Sequence, residues 1–279
     1  MRRRSDCAAL ALAGLVGIAS PASAAPNGAL RVCADPNNLP FSNSAEAGFE
    51  NKLGSMVAEA LGRSLSYTWW AQRRGFIRNT LKVEKCDVVM GVPSGFDLVE
   101  ATKPYYRSTY VFVSRRDEHL DLSSLLDPRL RRLVIGVHLV GDDGNNPPPA
   151  QALGELGIID NVRGYSIYGD YRQADPPARL IEAVEHGEID VAAAWGPLGG
   201  YFAEHSKVPL TVTPIQDGER FAPQKFQFAI SMGVRKGDHA LRDQLNAFID
   251  EHRSEITSLL RSYGVPLVDG PVTVSRGHK

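Results

Sequence analysis

Residues 86–114, CDVVMGVPSGFDLVEATKPYYRSTYVFVS, decide the fold. Val88-Val89-Met90 is a short apolar run, the pattern of a buried strand. Val92-Pro93-Ser94-Gly95 is a turn, and a polar segment leads to Pro104-Tyr105-Tyr106. Residues 108–114 then form a second strand in which Tyr110, Val111, Phe112 and Val113 leave no polar face. A strand apolar on both sides must be covered on both sides. A buried strand, a binding-type loop and a longer buried strand read as a chain that leaves one lobe and crosses into another.

The flanking sequence fits that crossing. Upstream, 30–33 is a strand and 34–44 (ADPNNLPFSNS) a loop whose large aromatic is Phe41. Residues 49–61 carry apolar side chains at helical spacing and stop at Gly62. A strand follows at 65–70 and a second helix at 75–83, giving β-α-β-α-β with parallel strands and helices on both faces. Downstream, 133–137, 162–168, 189–194 and 210–214 read as strands. Residues 150–156, 178–185 and 201–205 read as helical. Residues 226–234 (FQFAISMGV) return the chain across, and 241–261 read as one long C-terminal helix. The second half ends its strands in IDVAAA, an echo of CDVVMG. The expected architecture is α/β with two lobes, 26–112 plus 228–279 and 113–227, joined by two crossing strands.

The 279 residues suffice for two lobes, and 43% apolar with 23% charged residues is ordinary globular composition. A formal net charge of −1 gives no basic excess for nucleic acid. Arg2-Arg3-Arg4, a short apolar run over 7–19 and Ala22-Ser23-Ala24 make a secretory signal peptide over 1–24, cleaved near Ala24. That run is too short for a membrane helix, and no later run approaches ~18 apolar residues, so the mature chain is expected in the periplasm with no span. Export leaves Cys33 and Cys86. An oxidising compartment favours a bond between them. Their places, at the end of one strand and the start of another, leave two separate thiols as the alternative.

LRVCADPNNLPFSN, CDVVMGVPSG, PYYRSTYVFVS and FAISMGVRKGD resemble the type II periplasmic solute-binding proteins of importers, across the whole mature chain. LPFSN, WWAQRRGFIRNTL, CDVVMGVP and PYYRSTYVFVSR look more narrowly like the binding-protein-like component encoded with quinoprotein methanol dehydrogenases, the MoxJ/XoxJ group. The resemblance implies a periplasmic partner that activates or matures a PQQ-dependent, calcium- or lanthanide-dependent methanol dehydrogenase by direct contact. It implies neither an enzyme nor a cofactor of its own.

In the amino-acid-binding relatives an Arg about nine residues before the Pro-Tyr-Tyr forks the ligand carboxylate. Here that place is Gly95, and no Arg lies between Cys86 and Tyr106. The place of the acid that receives the ammonium is Trp195, and the anion loop becomes Gly141-Asp142-Asp143-Gly144-Asn145. The expected cleft is neutral and aromatic: Phe41, Trp70, Phe96, Tyr105 and Trp195. That lining suits an inserted partner side chain, or an apolar or aromatic small molecule if the chain is instead an importer's receptor. Trp69, Arg73, Arg74 and Arg78 form either a contact patch or a solvated helix face.

Other chemistry is thin. The seven histidines show no metal-ligand spacing. Asp142, Asp143 and Asn145 read as a solvated turn rather than a cation site. No nucleophile elbow or P-loop occurs. Asp97 and Glu100, the local carboxylates that might serve an enzyme on this fold, read as solvent-facing.

Overall fold

The computed structural model describes residues 28–139, 146–166 and 174–269. The leader, the acidic turn at 141–145 and the last ten residues assigned to lobe one lie outside the described residues.

β1 (Ala29–Ala34) leads through two short strands, β2 (Asn37–Asn38) and β3 (Ser42–Asn43), into α1 (Phe49–Ala60). β4 (Ser64–Trp69) follows, then α2 (Phe76–Asn79) and β5 (Val88–Pro93). β6 (Glu100–Arg115) runs for 16 residues. Beyond it come β7 (Ile135–Leu139), α3 (Pro148–Glu155), β8 (Val162–Ser166), α4 (Arg179–Glu185) and β9 (Val191–Trp195). The chain then forms α5 (Gly196–Glu204), β10 (Leu210–Pro214), β11 (Gln227–Val234), α6 (His239–Glu251) and α7 (Arg253–Arg261).

Among the described residues, strands hydrogen-bond in the order β4-β1-β5-β11-β6-β9-β7-β8, with β10 on β6. β6 changes partners along its length. Its first part, Glu100 to Thr109, pairs antiparallel with β11. From Tyr110 onward it pairs with β9, and with β10 from Val111. The apolar stretch read as buried on both faces is therefore the one that enters the second group of strands.

One core packs α1, α6 and α7 against Leu30, Val32, Val88, Met90, Ile230 and Met232. The opposite face of the same strands carries a smaller core of Cys33, Cys86, Val89, Val92 and Val99 with Phe76, Ile77 and Leu81. Beyond the crossing, Phe112 faces one core and Val111 with Val113 another. This is the expected alternation of a strand buried on both sides.

Two helix readings need correction. The helix expected over 75–83 is a single turn, α2, followed by a 3₁₀ turn at Leu81–Val83. Thr80 leaves helical geometry (φ −126°, ψ −83°), and its hydroxyl donates to the Phe76 carbonyl at 2.6 Å, taking the acceptor that helix propagation needs. The long C-terminal helix is α6 and α7, broken at His252 (φ −105°, ψ 20°), whose ring stacks on Phe248. The apolar spacing continues across the break, so sequence periodicity does not reveal it.

Cys33 and Cys86 are bonded. Parallel pairing of β1 with β5 places Val32 opposite Val88, so the end of one strand lies beside the entry to the other, with 5.5 Å between the cysteine Cα atoms. Strand staggering removes the distance objection. The bond closes a separation of 53 residues, for which loop-closure entropy gives about 4 kcal/mol. Cys33→Ser with Cys86→Ser, or reduction of the native chain, is expected to lower Tm by roughly 10 °C in calorimetry. An unchanged Tm would show that the bond adds no stability.

Candidate functional site

Where the two groups of cores meet, aromatic rings fill the crossing. Trp195, at the end of β9, packs edge-on against Tyr110 of β6 (5.4 Å between centroids) and Phe228 of β11 (5.7 Å). Tyr110 also meets Phe226 at 5.9 Å, and burial pushes its hydroxyl pKa upward. Nearby, the Asp175 amide donates to Asn37 Oδ1 at 3.2 Å, bridging the first loop and the second group of strands. Tyr201 of α5 stacks on Tyr263 after α7, with 5.7 Å between rings. The approach depends on Gly200: a Cβ there would lie 1.9 Å from the Gly264 carbonyl oxygen. Rings and backbone contacts thus line the crossing.

The loop from β1 to α1 is organised by Asp35, which is 2% exposed. Its carboxylate accepts the Asn37 amide at 2.8 Å and the Gln72 amide at 2.6 Å. Ser42 Oγ donates to its carbonyl, and Phe41 packs on Phe49 at 5.4 Å. Phe41 therefore sits at the edge of the main core, held by an acid that backbone donors already satisfy.

Glu50, in the first turn of α1, is also buried. Desolvation pushes its carboxyl up to about 8. It lies against Gly91, where a Cβ would be 2.1 Å from Glu50 Oε1. A bulge makes the room: β5 takes one residue more between Val89 and Val92 than β11 takes between Gly233 and Ser231. Beside them Ser94 and Ser231 share a hydrogen bond of 2.7 Å, and the buried Tyr105 hydroxyl has no hydrogen-bond partner among the described residues.

A second concavity lies on the opposite face of the first strands. It is a half-open groove of about 800 Å³ between the 72–82 segment, the end of β5, the turn at Phe96 to Leu98, and Arg235-Lys236 after β11. Its floor includes Phe76, Leu81, Val89, Val92 and Phe96. Its charged lining is Arg73, Arg74, Arg78, Lys82, Arg235 and Lys236 against one acid, Asp97. Of these, Arg235 pairs with Asp87 at 3.4 Å.

Residues 30–265 match the family described as bacterial extracellular solute-binding proteins, family 3. The chain belongs to that family. It is 34% identical over 256 residues to Protein MoxJ of Methylorubrum extorquens, covering 86% of this chain and 82% of that one. It is 28% identical over 276 residues to Protein MoxJ of Paracoccus denitrificans, covering 95% and 97%. The crystal structure of periplasmic binding protein XoxJ from Methylobacterium extorquens AM1 superposes with a TM-score of 0.71 at 37% identity, covering 86% of this chain and 100% of that one. The expected kinship with the MoxJ/XoxJ group and the type II binding-protein fold both stand.

In this solute-binding protein Phe41 and Trp195 pack against the main core that contains Tyr105, whereas the other two expected cleft aromatics, Phe96 and Trp70, lie apart. Trp195 is at the crossing, with Phe228 and Tyr110 as neighbours that spacing arguments missed. Phe41 belongs to the edge of the main core. Tyr105 is 6% exposed and packs on Tyr106 at 5.0 Å, inside that core. Phe96 lines the basic groove, and Trp70 is 39% exposed beneath Lys85 Nζ at 4.8 Å. The patch divides as well: Trp69 stacks on Tyr67 at 4.5 Å toward the main core, whereas Arg73, Arg74 and Arg78 line the groove. Strand alternation sends adjacent tryptophans to opposite faces. Among the described residues no group of three or more His, Cys, Asp or Glu could hold a metal, and no helix is long and apolar enough to cross a membrane.

Glu50 sets a pH dependence. Its folded pKa, about 8, is raised above its ordinary value of 4.5, so between those values the folded chain holds a proton that the unfolded chain releases. The stability tied to it is complete below about pH 4.5 and is lost as pH rises through about 8. Glu50→Gln keeps the shape and removes the titration. Its Tm is expected to exceed the native Tm near pH 9, the excess shrinking toward about pH 5. Parallel Tm–pH curves for the two proteins would count against this.

Proposed function

We propose that this is an exported, solute-binding-like partner protein that activates or matures a PQQ-dependent methanol dehydrogenase by direct contact. The observation that carries the reading is kinship with MoxJ and XoxJ over nearly the whole chain. On this reading residues 1–24 are a cleaved leader, the protein works in the periplasm, and the lobes divide at the crossing strands, 26–112 with 228–279 and 113–227.

The seam's chemistry supports the same view. Trp195 stands in the place expected for the ammonium-receiving acid and packs on Phe228. Gly95 stands in the place expected for the carboxylate-binding Arg. A desolvated charge without a partner costs several kcal/mol, and each 1.4 kcal/mol is tenfold in affinity, so a zwitterion losing both partners is rejected. The aromatic seam favours one alternative, an importer's receptor for an apolar or aromatic solute.

Two measurements separate these readings. Tagged protein, recovered from the periplasm of the methanol-grown source organism, is expected to bring the quinoprotein dehydrogenase with it; an empty pull-down counts against the partner reading. A thermal-shift screen is expected to show no stabilisation by amino acids. A bound solute at a hundred times its Kd would add about 2.7 kcal/mol, an easily read shift. Such a hit with an aromatic solute would favour the importer's receptor.

A further inference from the structure

We propose that the basic groove on the back of the first strands docks an acidic segment of a partner protein that also inserts apolar side chains. The groove exists because α2 stops after one turn. In place of a helix of ordinary length, a single turn, a 3₁₀ turn and the Phe96 loop cover Val89 and Val92, which are 3% and 4% exposed, and a half-open groove remains among these short pieces.

Its charge is local. The whole chain has a formal net charge of −1, yet the groove holds a single acid, Asp97, among six basic side chains. Arg73, Arg78, Lys82 and Lys236 are exposed on the rim, and none of them makes an ion pair among the described residues. Crowding cations beside an apolar floor is unfavourable in isolation, and a partner bearing carboxylates relieves it.

Geometry selects a protein segment over a small solute. The volume of about 800 Å³ is within the range of small-molecule sites, but those enclose most of their ligand's surface. This groove is half open, and its apolar surface runs on past its rim. Leu98, in the lining, is 60% exposed, and Val83, next in sequence to the lining residue Lys82, is 54% exposed. A segment lying across the groove covers both side chains and sets carboxylates against the arginines, residues favoured as binding anchors. The proposal shares with the functional reading only the premise that the partner is a protein.

The test uses a fluorescein-labelled peptide repeating Glu-Leu-Asp-Phe, read by anisotropy against a peptide repeating Lys-Leu-Lys-Phe. The acidic peptide is expected to bind at least about tenfold tighter, and more weakly as salt is raised. Arg73→Glu with Arg78→Glu and Lys82→Glu is expected to weaken it at least about tenfold at unchanged Tm, and Leu98→Asp to weaken it separately. Equal binding of the two peptides, or charge reversal without effect, overturns the proposal. So does binding of phosphatidylglycerol vesicles with the same mutational sensitivity and no peptide binding, which would assign the groove to a lipid surface. Recovery of the dehydrogenase at native yield by a charge-reversed protein whose peptide binding is unchanged overturns the groove and leaves the partner reading standing. Peptide binding with no dehydrogenase recovered does the reverse.

Discussion

One strand constrains everything else. β6 contributes Tyr105 and Tyr106 to the main core, Phe112 to the second, Val111 and Val113 to the third, and Ala101 to the edge of the small fourth. A slip of one residue in its pairing would turn each of these side chains to the wrong face at once. Its register is fixed from several directions: β11 along the first part, β9 and β10 along the second, and the C-terminal segment at the change-over. There Val268 N donates to the Arg107 carbonyl, and Ser108 Oγ donates to the Pro266 carbonyl at 2.6 Å. The two groups of strands are therefore joined through the hydrogen-bonded ladders of β6 itself.

That continuity explains the character of the seam. Residues at a partner exchange cannot all lie on a buried face or all face water, and rings suit such positions because they bring large area with few rotors. Phe226, Tyr110, Trp195 and Phe228 form a row of ring contacts, each with the next, at 5.9, 5.4 and 5.7 Å. The polar groups nearby are spent on structure. Asp35 is held by backbone amides, and Glu50 is buried against a glycine. Neither has the geometry of a fork awaiting a guest.

Much of this was legible in the chain. Val111 and Val113 flanked by Tyr110 and Phe112 can only be a strand buried on both sides, and that reading alone yields the crossing. Cys33 and Cys86 were legible as a pair on neighbouring strands, but the distance between them was not, because strand stagger is a property of the sheet rather than of either sequence. The place of Phe96, apart from the other expected cleft aromatics, was not legible for a similar reason. Spacing shows that Phe96 follows a strand, yet the bulge between Val89 and Val92 changes which face the chain presents next, and no residue type announces that bulge. α2 failed because the apolar period over 75–83 is genuine; the competing hydrogen bond from Thr80 is a single local choice that periodicity averages away. Glu50 had a signal that was passed over, a carboxylate among the apolar positions of an amphipathic helix's first turn.

The shortened α2 and the disulfide belong to one balance. Covering a sheet face removes apolar surface from water at about 25 cal/mol per Å², and here short pieces of chain do what a full helix would, leaving Val89 3% and Val92 4% exposed. The core beneath the groove is the smallest of the four, and the Cys33–Cys86 bond lies inside it, joining β1 to the entry of β5. A covalent link acts mainly by restricting the unfolded chain, so it stabilises a sheet without needing anything packed on top. The link thus holds β1 beside β5 beneath a cover made only of a single helical turn, a 3₁₀ turn and a loop.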